Sequence, residues 1–336
     1  MSAAAQSRSA GPRLIGLREA PTALAILLVF IVAAALEPKF LSAPSLRSIL
    51  LWLPLVLIAA MGQMMVILSR GIDVSAGSTM ALAGMTTAIA FRDLPWLNVY
   101  AGTALAVAIG GLLGAINGGF VVLGRIPPIV ATLGTLGIYR GLTHIVSRGV
   151  QVEEYELPRA LARWSVQGPG GQTLVPWIVI AAGAVAAAAG LFLSFTRMGR
   201  NIYAVGGNAH AARLRGIHVA GATWLAYVIS GMTAGLAGIF YASRFGIVNP
   251  GSVGVGFELI VISAVVVGGV SVFGGRGSVT GVVLGSVLLA TIYTALTVSG
   301  VAAAWQATSY GLAILLAVVL DELLRGRAEH RSLHGP

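Results

Sequence analysis

Few residues in this chain could do chemistry, and most of those lie in or beside long apolar stretches. Arg140 and His144 stand four apart, which on a helix places them on one face. Asp73 lies in SRGIDVSAGS, and Glu258 opens another apolar run. Gln63, Asn117 and Thr132 add neutral hydrogen-bonding groups. An ionisable group inside an apolar segment is costly and is therefore a candidate functional site. Arg140 and His144 either line a polar pathway or divide into a snorkelling arginine and a hydrogen-bonded core histidine. Asp73 is expected to cap a helix or pair with Arg70, a coupling role being the alternative. Glu258 is expected at the outer membrane boundary. Gln63, Asn117, Thr132, Arg140 and His144 are the candidate substrate pathway, and the neutral groups Gln63, Asn117 and Thr132 suit an uncharged, hydroxyl-rich solute better than an ion.

Other chemistries are excluded by what the sequence lacks. There is no cysteine, hence no disulfide, thiol nucleophile or zinc thiolate site. The one lysine, Lys39, lies in LEPKFLS, so no phosphate-cradling Gly-rich loop ending in Lys and Ser/Thr exists. An ion-driven carrier should hold carboxylates at mid-span, and the sequence places none there. No HExxH and no aspartate pair at matching depth in two spans supports an intramembrane protease. No metal site and no cofactor of its own is expected for this chain.

The elements that must position these residues are membrane helices. Of 336 residues, 57% are hydrophobic and 10% charged, with mean hydropathy +0.90. Soluble domains average about 25% charged residues, so the fold class is an all-α polytopic membrane protein. Spans of about 20 residues are expected at ten places: 21–36, 49–68, 74–91, 99–123, 129–146, 174–195, 222–242, 258–273, 277–297 and 303–320. The first is expected to be retained rather than cleaved as a signal peptide. The organisation is a tail over 1–20, a transmembrane domain over 21–320 and a second tail over 321–336. With both termini cytoplasmic, the inner segments carry Arg8, Arg13, Arg18, Arg70, Arg125, Arg197, Arg200, Arg213, Arg215, Arg276, Arg325, Arg327 and Arg331. The outer ones carry Lys39, Arg47, Arg92, Arg148, Arg159, Arg163 and Arg244. That asymmetry obeys the positive-inside rule. It accounts for the net charge of +10 without nucleic-acid binding.

Glycine spacing supplies the packing. Gly110, Gly114 and Gly118 form GxxxGxxxG in the fourth expected span, and Gly277, Gly281 and Gly285 repeat it in the ninth. Small residues let helices approach closely in lipid, within one subunit or at a subunit interface. Gly77-Ser78 and Gly277-Ser278 each open a small-residue helix, which suggests an internal duplication. The outer loop 147–173 mixes Glu153, Glu154 and Glu156 with Arg148, Arg159 and Arg163, as a solvated linker or a docking surface. The inner stretch TRMGRNIYAVGGNAHAARLRGIHVAGAT, from Thr196, has four arginines and no acid, and is offered either to lipid headgroups or to a partner.

Four segments carry a family resemblance: SRGIDVSAGSTMALAGM, RIPPIVATLGTLGIYRGL, GRNIYAVGGNAHAARLRGI and VVGGVSVFGGRGSVTGVVLG. Together they resemble bacterial monosaccharide ABC importer permeases, the ribose, xylose, rhamnose and autoinducer-2 group, over about 36–324. IPPIVATLGTLGIYRGL is most similar to the rhamnose and autoinducer-2 branch. The resemblance implies an inner-membrane permease working with a second permease copy, homo- or heterodimeric. It also implies a separate ATPase, which binds ATP and Mg²⁺, and a periplasmic sugar-binding protein. In the coupling loop 196–221, Ala211, Ala212 and Gly216 match the EAA-x-x-x-G pattern, with His210 where the pattern has Glu. His210, Ala211, Ala212, Arg213 and Gly216 are the expected ATPase contact. Without the resemblance, a stand-alone channel or facilitator for small polar solutes stays open.

Overall fold

The computed structural model describes residues 19–302 and, beyond them, the helical positions 305, 308, 309, 311, 312, 315 and 319. Most of both tails and most of the tenth expected span, 303–320, lie outside the described residues. The described chain forms the helices α1 (Ala20–Leu36), α2 (Ala43–Leu68), α3 (Ala76–Asp93), α4 (Val99–Val122), α5 (Pro128–Ser147), α6 (Arg159–Val166), α7 (Trp177–Phe195), α8 (Arg197–Gly207), α9 (Ala209–Leu214), α10 (Val219–Phe245), α11 (Phe257–Val267) and α12 (Val279–Val298). No strand forms among the described residues, only the isolated bridge Val152↔Val248. Among the described residues, six helices, α2, α4, α5, α7, α10 and α12, are long and apolar enough to cross a membrane. The helices α1 and α11 are apolar but shorter.

Burial sorts these helices by place. The α2 helix is apolar all round and is buried along most of its length, so it is the central element. Its neighbours include α7, α10, α11 and α12. By contrast α1, α4, α5 and α7 expose large side chains such as Leu24, Leu28, Leu112, Val130, Ile145 and Leu191. A contiguous apolar exterior of this kind is what a lipid environment requires.

The close pairs are made by glycine. A Cβ on Gly110 would fall on the Gly231 carbonyl oxygen, and one on Gly114 would fall on the Tyr227 carbonyl oxygen. Gly118 lies beside Trp224. These contacts lock α4 onto α10. Gly281 and Gly285 similarly face the carbonyls of Gly268 and Ala264 and bring α12 onto α11. Gly277 falls outside α12, packed under Val270, so the second glycine row is one residue shorter in the helix than its spacing suggests. Gly110→Val is therefore expected to force the helices apart. The overpacking cost is about 1–3 kcal/mol or more, seen as loss of monodisperse protein in detergent. Gly119→Ala, on the same helix but facing open space, should leave the yield unchanged.

The largest departure from the expected spans is at 258–273. The helix there, α11, has 11 residues, about 16 Å at 1.5 Å per residue, roughly half a bilayer core. It is preceded by a non-helical segment, 246–256, and followed by the turn-rich 268–278. Glycines at 254 and 256 have φ of 68° and 71°, which breaks any helix that apolar composition alone would continue.

Candidate functional site

The connection between α2 and α3, residues 69–75, is held by a buried polar knot. Asp73, 1% exposed, accepts from the Ser75 backbone N–H at 3.0 Å, from Ser75 Oγ at 2.7 Å and from Ser230 Oγ of α10 at 3.0 Å. Asn117 of α4 donates through Nδ2 to Ser75 Oγ at 2.7 Å. Tyr139 of α5 donates to Asn117 Oδ1 at 3.1 Å and to the Leu113 carbonyl at 2.9 Å. Thr132 Oγ1 accepts the Val74 N–H at 3.1 Å and donates toward the Ile72 carbonyl at 3.2 Å. With its amide oriented to satisfy both atoms, Gln63 exchanges 3.2 Å hydrogen bonds with the backbone N–H and carbonyl of Asp73.

Three of the expected pathway residues, Gln63, Asn117 and Thr132, thus converge on one turn. All three are fully buried, and each has a protein partner, so in this structure they brace the start of α3. Asp73 does not pair with Arg70. Its carboxylate closes a turn two residues before the N-cap, Ser75, where free amides and the helix dipole favour negative charge. Arg70 instead reaches across to α8, donating from Nε to the Gly206 carbonyl at 2.7 Å and from Nη2 to that of Gly207 at 2.8 Å.

A second polar group joins α5, the segment 246–256 and α11. Arg140, partly buried, donates to the Val253 carbonyl at 2.5 Å and so holds the segment 246–256 against α5. Glu258 is half-buried against α3. It lies in the first turn of α11, where its carboxylate and the Gly254 carbonyl occupy the notch left by Gly77 of α3. The start of α11 therefore meets the start of α3 inside the bundle. The reason is the short helix: the chain descends as 246–256 before α11 begins. His144 is exposed, so it is no core histidine. It shares with Arg140 and the open Gly137 the stripe of α5 that the rest of the described chain leaves uncovered.

The basic loop forms a compact surface element. Thr196 caps α8 through the Gly199 N–H at 2.9 Å, and Asn208 caps α9 through the Ala211 N–H at 2.9 Å. The α9 helix ends in a Schellman arrangement: Ile217 N–H donates to the Ala212 carbonyl at 3.1 Å and Gly216 N–H to that of Arg213 at 3.0 Å. Gly216 has φ 77°. Ala212 is buried against Val205 and Ala222. His210, Ala211, Arg213, Leu214 and Arg215 face outward, Leu214 at 78% exposure. Ala212 anchors, and its neighbours present a surface.

At the opposite end, loop 147–173 is also ordered. Val152 and Val248 form a two-bond bridge, and Asn249 donates to Gln151 at 2.8 Å. A cavity of about 200 Å³ lies between Glu154, Tyr155, Arg159 and Leu161 of this loop, Ala242 of α10 and Gly246 just beyond it.

Residues 45–320 match the family described as the branched-chain amino acid transport system permease component. The chain belongs to that family. Its relatives include two autoinducer 2 import system permease proteins, from Klebsiella pneumoniae (39% identical, covering 92% of this chain and 87% of the relative) and an Enterobacter species (40%, 92% and 88%). A ribose import permease protein from Escherichia coli is 36% identical over 91% of this chain and 94% of its own length. No solved structure matches the chain. The chain is accordingly a transporter subunit and not an enzyme, and its family embeds apolar helices in the membrane.

Within this permease, the residues that sequence reading missed are those that act by position. Ser75, Ser230 and Tyr139 complete the knot. Only the cluster of small hydroxyl residues around SAGST hinted at the knot. Nothing in the local sequence tied Arg140 to Val253, 113 residues away.

Proposed function

We propose that this permease carries a small, uncharged, hydroxyl-rich solute, a monosaccharide or an autoinducer-2-like compound, inward across the bacterial inner membrane. It crosses the membrane about ten times with both termini in the cytoplasm, and pairs with a second permease copy. A separate ATPase, binding ATP and Mg²⁺, docks on the 196–221 loop, and a binding protein delivers the solute to the 147–173 side. The observation that carries this reading is the α9 surface. An anchored helix of six residues exposes His210, Ala211, Arg213 and Leu214 together, a mixed apolar and basic face that suits a protein groove better than lipid. The relatives' names supply the solute class.

The test is reconstitution in liposomes with a panel of labelled monosaccharides, with and without the partner ATPase. Uptake is expected only when ATPase and internal or external ATP on its side are both present, with at least a tenfold drop when either is left out. Saturable, ATP-independent flux at a comparable rate would make the chain a facilitator and overturn the reading.

A further inference from the structure

Two ionisable side chains in the interior leave hydrogen-bonding capacity unused. Arg140 lies twelve residues into α5, about 18 Å along its axis at 1.5 Å per residue, well inside a hydrocarbon core of about 30 Å. Of the five guanidinium donors, one goes to the Val253 carbonyl. Glu258 lies nearby, because the Gly254 carbonyl, next to Val253, shares the Gly77 notch with its Oε2, yet no ion pair joins it to Arg140. Its carboxylate takes backbone N–H groups at the start of α11, while Oε2 is buried over Gly77 without a partner. A buried acceptor left without a donor costs about 1–3 kcal/mol, more when charged. The site therefore favours whatever brings donors to it.

The surroundings say what that is. A charged group at this depth belongs beside a bundle interior or a water-filled cavity, not lipid. The stripe of α5 carrying Gly137, Arg140 and His144 is left uncovered in one copy of the chain. The backbone of 246–256 is non-helical at the same depth. Such backbone is tolerated where it is buried in protein or lines a cavity, and helix breaks of this kind mark transport pathways. A neutral polyol offers hydroxyls that donate to a carboxylate and accept from a guanidinium. Hydrogen bonding to hydroxyls also discriminates strongly against an analogue that lacks one, because the protein group is then left unpaired.

We infer that Glu258, opposite Arg140, is the specificity-determining residue that reads the hydroxyl groups of the solute in the pathway. This rests on the permease reading above. Arg140 donates to the same hydroxyl array and keeps Val253 and the start of α11 in place.

The experiment uses the whole importer in liposomes, with a pentose that the wild-type complex takes up and its monodeoxy analogues. Glu258→Gln keeps the shape and removes the charge. It is expected to lower uptake of the parent sugar at least tenfold and to shrink the parent-to-deoxy rate ratio at least fivefold, with the ATPase still co-purifying. Arg140→Lys should shrink the same ratio. Equal loss for parent and analogues, or no loss, overturns the inference. Because the chain has no cysteine, Glu258→Cys supplies a unique thiol and an independent measurement in the assembled complex. A hydrophilic thiol reagent should modify it, and excess sugar should slow the modification. Absence of labelling with and without ATP, or labelling indifferent to sugar, overturns it as well. If the wild-type complex moves no sugar of the panel, the solute class itself fails, and this inference with it.

Discussion

Gly216→Val is expected to abolish coupled transport while the permease still inserts in the membrane at normal abundance. Gly216 closes α9 with φ 77°, and a Cβ there meets no neighbour, so the effect is purely conformational. A β-branched residue is strained in the left-handed region. The strain is about 1–3 kcal/mol, and about 1.4 kcal/mol is a tenfold change in population. The loss falls on the two carbonyls of Ala212 and Arg213 that the turn satisfies and on the angle at which α9 leaves the bundle. Ala212 and Asn208 still anchor the helix, so the damage stays local. Co-purified ATPase is expected to fall at least tenfold, and ATPase activity to stop responding to sugar. Gly216→Asn should retain most function, because asparagine tolerates this conformation. Normal transport by Gly216→Val would remove the loop from the coupling surface and leave a solvated basic segment.

Asp73→Leu carries the largest expected effect on stability. It removes the acceptor of three hydrogen bonds, from Ser75 N, Ser75 Oγ and Ser230 Oγ. Each buried group left unpaired costs about 1–3 kcal/mol, a large part of a typical margin of about 5–15 kcal/mol. The outcome is read as thermal stability in detergent and as yield of monodisperse protein, both of which should fall sharply. Asp73→Asn keeps one acceptor oxygen and should lie between. A leucine variant as stable as the wild type would mean that the knot does not hold the start of α3. Serine at 75 is coupled to the same node through Asn117 and Tyr139. Substitutions at Asp73 and Asn117 are therefore expected to be non-additive.

The sequence by itself determined the class of molecule. Apolar runs near bilayer length, scarce charge and arginine asymmetry follow from the solvent, and the solvent acts on each segment separately. For the same reason the long helices α2, α4, α5, α7, α10 and α12 appear close to their expected bounds. The close of α9 is legible too, since alanines favour helix and Gly216 can take the left-handed turn that ends it, both local effects. Only the tertiary structure decided where the polar residues go. Gln63, Asn117 and Thr132 look like pathway groups one at a time, and become a brace because three helices bring them to a single backbone turn. Glu258 was placed at a boundary because an apolar run of 16 residues reads as a span. The glycines at 254 and 256, the Gly77 notch and Arg140 on the Val253 carbonyl instead make it the start of a short helix packed against α3. Partners 113 and 157 residues away leave no periodicity in the chain. A buried hydrogen bond is specified by where two backbones meet, and that is fixed by packing rather than by either local sequence.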